Sequence, residues 1–424
     1  LRDLIRGQPA ADWDVATDAR PDEVKRAFRH VVPTGEKHGT VSVILDGHAY
    51  EVTTLRGEGT YTDGRRPDAV EFHDDIELDL LRRDFTVNAI ALDPVTHEVF
   101  DPANGLVDLK NRVLRAVGDP AARFGEDGLR ILRGARFVAT LEMTLEPATR
   151  AAIPGALDVF RKVSGERVRD EWLKTMKAAR PSHAFEVMRE TGILGVTYPE
   201  MLEMYGCTQN KWHSFDVWGH TMAALDATPR DRPMVRVASL LHDIAKPRTR
   251  AIGEKTNDAT FYGHERVGAD MADDWLRRYH FSNEERERIT HVIRHHLVCY
   301  DRGWSDAAVR RWMKRIGSAA MDDLLVLHRA DTLGKGREVP DELASIDQLR
   351  ARVAAVEAAG NALSTRDLAV NGKDVMAILA IPPGRRIGEV LEALLDEVLE
   401  DPALNEREHL LDRIRAMGAE ARRA

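Results

Sequence analysis

The run GQPAADWDVATDA sets Asp12 and Asp14 two residues apart among apolar Trp13, Val15 and Ala16, and it constrains this chain more than any other feature. In a strand, side chains alternate, so both carboxylates project from one face. Side by side they repel unless a cation lies between them. Mg2+ takes one or two carboxylates and completes its shell with water and substrate phosphate. A paired-aspartate strand following a helical start, Leu1 to Gly7, therefore points to a two-metal phosphoryl- or nucleotidyl-transfer site. Taken alone, Asp-x-Asp more often marks a solvated loop, and the rest of the chain must overturn that reading.

At 424 residues the chain exceeds one ordinary domain, and about two to four units are expected. Its 43% hydrophobic and 31% charged content is that of a globular protein. Cys207 and Cys299 lie in no C-x-x-C pair and cannot build a disulfide framework, which suits a reducing cytoplasm. No apolar run approaches a membrane span, and no signal peptide is visible at the start. The net charge of −9 argues against an indiscriminate nucleic-acid coat but is compatible with a local basic face.

VSVIL (41–45) and AYEVTTL (49–55) read as strands joined by the tight turn Asp46-Gly47-His48. Glu51, Thr53 and Leu55 share one face of the second strand, and Glu51 offers a third carboxylate; an exposed edge residue is the other reading. Residues 56–72 are polar, Gly-rich and basic, a long loop of functional or disordered type. DLLRRDFTVNAIALDP (79–94) has helical spacing at Leu80, Leu81, Phe85 and Ala89 with Asp79 as N-cap. Arg82, Arg83 and Asn88 are then placed to face a triphosphate, or are simply a surface-helix pattern.

In order along the chain, LRDLIRG…DWDVAT, VVPTGEKHGTVSV, EVTTLR, RRDFTVNAIA, DPANGLVDL and RFGEDGLRILRGARF resemble the class II tRNA nucleotidyltransferase family, which comprises CCA-adding enzymes and bacterial poly(A) polymerases. The resemblance covers roughly the first 140 residues. It implies that Asp12 and Asp14 are Mg2+ carboxylates, that Glu51 is the third catalytic carboxylate, and that Arg2, Arg82, Arg83, Asp84, Asn88, Arg133 and Arg136 bind nucleotide. The family has a Gly-Gly pair just before the first Arg-Asp. Here the chain opens at Leu1, so part of the phosphate cradle is expected upstream.

GDPAARFGEDGLRILRGARFVATL reads as a helical stretch with Asp127 and Arg130 on one face. Arg supplies only donors and ionised Asp only acceptors. Cytosine and adenine pair a ring-nitrogen acceptor with an exocyclic amine donor, whereas guanine and uracil present the reverse. Asp127 and Arg130 thus suit C and A; a surface ion pair is the bland alternative. The resemblance implies the base-reading role for this pair. Residues 161–180 carry seven Lys/Arg against three Asp/Glu, interrupted by Trp172, a surface for tracking an RNA backbone or a solvated helix face.

Further on come His220, His242-Asp243, His264, His291, His295-His296 and Asp331. Imidazoles with carboxylates at helix ends suit a transition-metal site. The set resembles the HD phosphohydrolase superfamily, which implies a divalent transition metal on His220, His242, Asp243 and Asp331. By the same resemblance His264, His295 and His296 hold a second metal or contact phosphate, and His291 is structural. Lys246 contacts phosphate or caps the helix that Pro247 is expected to stop. The tail reads as helices broken at Pro382-Pro383-Gly384, with Leu391, Leu394, Leu395 and Val398 on a packing face.

The expected fold is α+β: a nucleotidyltransferase head with a small sheet (1–115), a helical neck (116–205), an HD domain (206–340) and a helical tail near tRNA (341–424). The expected reaction is addition of CCA to tRNA from CTP and ATP with release of pyrophosphate. The HD unit is expected to add phosphatase or 2′,3′-cyclic phosphodiesterase activity. Rivals are a poly(A) polymerase, an A-only or CC-only enzyme, and an HD phosphohydrolase with a nucleotide-sensing head. PTGEKHGTV and the loop 56–72 resemble the segments of full CCA-adding enzymes.

Overall fold

The computed structural model describes residues 1–9, 13–36, 39–57, 72–255 and 257–423. Asp12, the tip of PTGEKHGTV and most of the expected loop 56–72 lie outside the described residues. The chain divides into two compact units: Leu1–Glu203 with Trp275–Phe281, and Met204–Asp274 with Ser282–Ala424.

The first unit begins with a four-stranded sheet of order β1-β4-β3-β2, from β1 (Asp14–Thr17), β2 (Val31–Gly35), β3 (Thr40–Leu45) and β4 (His48–Thr54). The β3–β4 hairpin closes with Leu45 opposite His48, leaving a two-residue turn. Asp46 and Gly47 both have positive φ, 49° and 79°, as a turn matching strand twist requires. Val41, Val43 and Val52 pack with Val24 of the helix Pro21–Ala27 to fill one face. β1 joins β4 in parallel, with Asp14 in register with Glu51.

The segment expected as one helix over 79–94 differs. The helix is Ile76–Leu81, capped by Asp75, whose Oδ1 accepts from the Glu77 amide at 2.8 Å. Asp79 is therefore interior and buried, not the cap. A 3-10 turn Thr86–Asn88 and a short strand Ala91–Leu92 follow. Phe85 drives this break: it is fully buried between Phe124 and Phe137, with ring centroids 6.4 and 5.8 Å away.

The stretch around Asp127 is also two helices, Pro120–Glu126 and Leu129–Leu141. They separate because the Phe160 backbone presses on Gly128: a Cβ there would lie 2.4 Å from Phe160 N. Trp172, expected among RNA-facing residues, is fully buried against Phe185 and Trp275.

In the second unit the helices Val217–Ala227, Pro233–Leu241, Asn283–His295 and Ser318–Leu333 pack on one another. The helix before His242 ends at Leu241, and Pro247 begins a short helix, Lys246–Thr249, rather than ending the earlier one. The tail has its own core: Leu394, Leu395 and Val398 are buried with Val375, Leu410 and Ile414, and Leu391 packs alongside. Among the described residues no helix is long and apolar enough to cross a membrane.

Candidate functional site

In the first unit a cleft of about 1110 Å3 runs past β1 and the start of the helix Leu129–Leu141. Arg2, Asp14, Arg82, Arg83, Asp84, Asn88, Asp127, Arg130 and Arg133 all line it. Asp14 is exposed, and in-register Glu51 on the neighbouring strand shares its face. Glu51 and Arg136 are not among the lining residues. Two exposed carboxylates on adjacent strands are hard oxygen donors, which fits Mg2+.

The arginines are held from behind. Asp79, 2% exposed, accepts from Arg82 Nε at 2.9 Å and Arg83 Nη2 at 3.3 Å. A buried carboxylate is tolerable only when paired in this way. Asp84 accepts from Arg133 Nε at 2.7 Å and Asn88 Nδ2 at 2.9 Å, and Asn88 Oδ1 accepts from Arg2 Nη1 at 2.6 Å. Burial raises the Asp84 carboxyl, but Arg133 and the hydrogen bonds from Asn88 and Arg133 overcome it, taking it down to about 2. Asp84 is thus a buried anchor in the cleft wall.

Asp127 and Arg130 both line the cleft, but they do not pair on one helix face. Asp127 is at the break between helices, where Arg167 Nη1 and Nη2 donate to it at 3.2 and 2.6 Å. Arg130 pairs with Glu126 and donates to the carbonyls of Arg123 and Arg82 at 2.8 and 3.2 Å. Arg136 turns away to Glu171, at 2.5 Å. Arg167 was legible only as one of seven basic residues; no local pattern singles it out.

In the second unit His220, His242 and Asp331 form one trio of potential ligand atoms, and Asp243, His264 and His296 another. Asp243 links them: Oδ2 lies 3.4 and 3.2 Å from His220 and His242 Nε2, and Oδ1 lies 3.3 Å from His264 Nε2. All but Asp331 are buried. The donor set fits a cation for a specific reason. Nδ1 of His264 donates to the Phe261 carbonyl at 2.6 Å, and Nδ1 of His296 to the Ile293 carbonyl at 2.7 Å. Each neutral ring then carries its lone pair on Nε2, yet these two atoms face each other at 3.2 Å. Such opposed lone pairs repel unless positive charge lies between or beside them, and carbonyl-oriented imidazoles are the usual arrangement of metal ligands.

Electrostatics agree. Burial pushes His296 down to about 3, aided by His242. Burial opposes charge on His242 too, but Asp243 and Asp331 push it up to about 10. For Asp243, burial is outweighed by His242 and Lys246, and the carboxyl lies well below the usual range. Lys246 Nζ sits 2.6 Å from Asp243 and donates to Gln209 at 2.7 Å, so it neither caps the preceding helix nor is a free cation.

His295 belongs to neither trio. As the last residue of its helix, it lies over His291 one turn earlier, with centroids 4.6 Å apart, while the next residue, His296, points inward. His213 was missed: its ring meets that of His220 at 4.9 Å, Nδ1 lies 2.9 Å from Asn210 Oδ1, and burial together with Lys246 takes it down to about 3. It lies outside the helix carrying His220, so no periodicity marks it.

Residues 1–115 match the Poly A polymerase head domain, 142–204 the probable RNA and SrmB-binding site of polymerase A, and 212–334 the HD domain. The chain is 34% identical to the A-adding tRNA nucleotidyltransferase of Deinococcus radiodurans over 93% of its length and 89% of that protein. It is 45% identical to a CCA-adding enzyme of Lactobacillus johnsonii over 46% of this chain and 48% of that one. The Bacillus stearothermophilus CCA-adding enzyme in complex with CTP superposes with a TM-score of 0.74 at 26% identity, over 100% of this chain and 92% of that one. With 34% identity across nearly the whole length of one tRNA nucleotidyltransferase, and the head, RNA-binding and HD segments in sequence, the chain belongs to the tRNA nucleotidyltransferase family and carries an HD domain.

Proposed function

We propose that this enzyme adds CCA to the 3′ end of tRNA without a template, using CTP and ATP. The observation that carries the proposal is the single cleft lined by Asp14, the anchored arginines and the Asp127–Arg130 couple. The tRNA 3′-hydroxyl attacks the nucleotide α-phosphate, the α–β phosphoanhydride bond breaks, and pyrophosphate leaves. Asp12, Asp14 and Glu51 would hold Mg2+, which supplies charge neutralisation and lowers the hydroxyl pKa. Arg2, Arg82, Arg83 and Arg133 bind the triphosphate, each oriented by a carboxylate or amide behind it. Arg136, tied to Glu171, supports that wall rather than touching nucleotide. Asp127 accepts from the exocyclic amine of C or A while Arg130 donates to the ring nitrogen. The working division is a head at 1–115, a neck at 116–205, an HD domain at 206–340 and a tRNA-approaching tail at 341–424.

Gel analysis of a tRNA lacking its terminal CCA, given CTP and ATP separately and together, tests this. Three added nucleotides with both, and two with CTP alone, are expected. A second reading, addition of A alone, is favoured by the Deinococcus radiodurans relative. It predicts no extension by CTP and one nucleotide on a tRNA ending in CC.

For the HD unit, six ligands sharing Asp243 suit two divalent transition metals and hydrolysis of phosphomonoesters or 2′,3′-cyclic phosphates at RNA ends. Release of phosphate or ring opening from such ends, with metal content measured on the same sample, tests that reading.

A further inference from the structure

Arg167 sits in the helix Gly165–Thr175, within the basic stretch that reads from sequence as an RNA-tracking surface or a solvated helix face. Its guanidinium points instead into the nucleotide cleft, where it lies among the lining residues and forks onto Asp127. A carboxylate has about four lone-pair positions, two on each oxygen. On Asp127, Oδ1 accepts from the Leu129 amide at 3.0 Å and from Arg167 Nη1 at 3.2 Å, and Oδ2 accepts from Arg167 Nη2 at 2.6 Å. One acceptor position on Oδ2 is left. Arg130 is similarly reduced. Its Nη1 serves Glu126 and the Arg123 carbonyl, and its Nη2 serves the Arg82 carbonyl. Nε–H and one Nη2–H remain.

We infer that Arg167 is a positioning residue for base choice, filling Asp127 until a single acceptor is presented beside the donors of Arg130. The inference rests on the base-reading role proposed for Asp127. A single outward acceptor takes one exocyclic N–H, as cytosine and adenine provide. Uracil and guanine bring a carbonyl oxygen to the same place, where it meets a lone pair and no proton. Without the fork, three positions on Asp127 open and only the Leu129 amide holds the carboxylate. Water then enters, and a water accepted by Asp127 donates to a uracil or guanine carbonyl. Discrimination, rather than turnover, is what Arg167 supplies.

The test is kcat/KM for single incorporation of CTP and UTP in the full chain, with Arg167→Met, Arg167→Lys and Asp127→Asn. In Arg167→Met the CTP-over-UTP preference is expected to fall about tenfold or more, as for loss of a charge-assisted hydrogen bond pair. Most of the change should come as a gain with UTP. Arg167→Lys, whose single ammonium holds one oxygen, should fall between and keeps the test alive if the methionine variant does not fold. An equal drop with all nucleotides would overturn the inference in favour of a structural or RNA-contact role. If Asp127→Asn shifts the preference and neither Arg167 variant does, the inference fails and the base-reading assignment stands. If none of the three shifts it, both fail.

Discussion

The two chemical centres of this chain are built on opposite electrostatic plans. In the head, Asp14 and Glu51 stand exposed on a sheet, and the buried carboxylates Asp79, Asp84 and Asp108 are each paired with an arginine. In the HD unit every candidate ligand but Asp331 is buried, and imidazole nitrogens and carboxylates crowd together within 3.0–3.8 Å. On the function proposed above, the head site would be completed by what it binds, metal and triphosphate bringing charge to carboxylates and arginines already held in place. The HD site holds its charge imbalance inside the fold, where burial strengthens every interaction. Buried, closely packed ligands suit tight metal retention, while open oxygen donors suit an exchanging Mg2+ that arrives with nucleotide.

Four experiments press on this contrast. The largest effect is expected for Asp14→Ala. Nucleotide incorporation should drop on the order of 10^3-fold or more, since metal stabilisation is worth several kcal/mol. Phosphohydrolysis should be unchanged; normal incorporation would remove Asp14 from the metal site. Next, His242→Ala should lower phosphohydrolase activity by about 100-fold or more and reduce bound metal. Incorporation should stay within about twofold, so a parallel loss of both activities would show that the centres are not independent.

A third effect concerns acid stability. The Asp84 carboxyl lies at about 2 against an ordinary 3.8. A depressed carboxyl contributes stability that is complete above the ordinary value and is lost as pH falls through about 2. It is worth about 2 kcal/mol at neutral pH. Urea unfolding followed by the first unit's fluorescence, at about pH 6 and about pH 3, should show this loss in the parent and its absence in Asp84→Asn. Equal acid sensitivity in both would contradict the buried Asp84–Arg133 pair. The smallest change is expected for Arg136→Lys. Nucleotide KM should move less than about twofold, while stability falls by about 1 kcal/mol through the weakened bond to Glu171. A large KM change would place Arg136 in the cleft after all.

Local chemistry carried much of this molecule. Alternation and the Asp-Gly turn specify the β3–β4 hairpin, because strand twist and positive φ are properties of a few neighbouring residues. The ordered histidines and aspartates, read with the HD resemblance, pick out all six side chains that cluster in the second unit, with His295 in excess. Residue type together with the family resemblance picks out Arg2, Arg82, Arg83, Asp84, Asn88, Asp127, Arg130 and Arg133, which all line the cleft. What sequence could not supply were partners far apart in the chain. Gly128 breaks its helix because Phe160 lies against it, and Phe85 ends another by burying between Phe124 and Phe137. Arg167 reaches Asp127 across forty residues, Arg136 is drawn off to Glu171, and His296 rather than His295 faces the cluster. Each of these outcomes follows from close packing and from pairing buried charge, and both are settled only when distant segments meet.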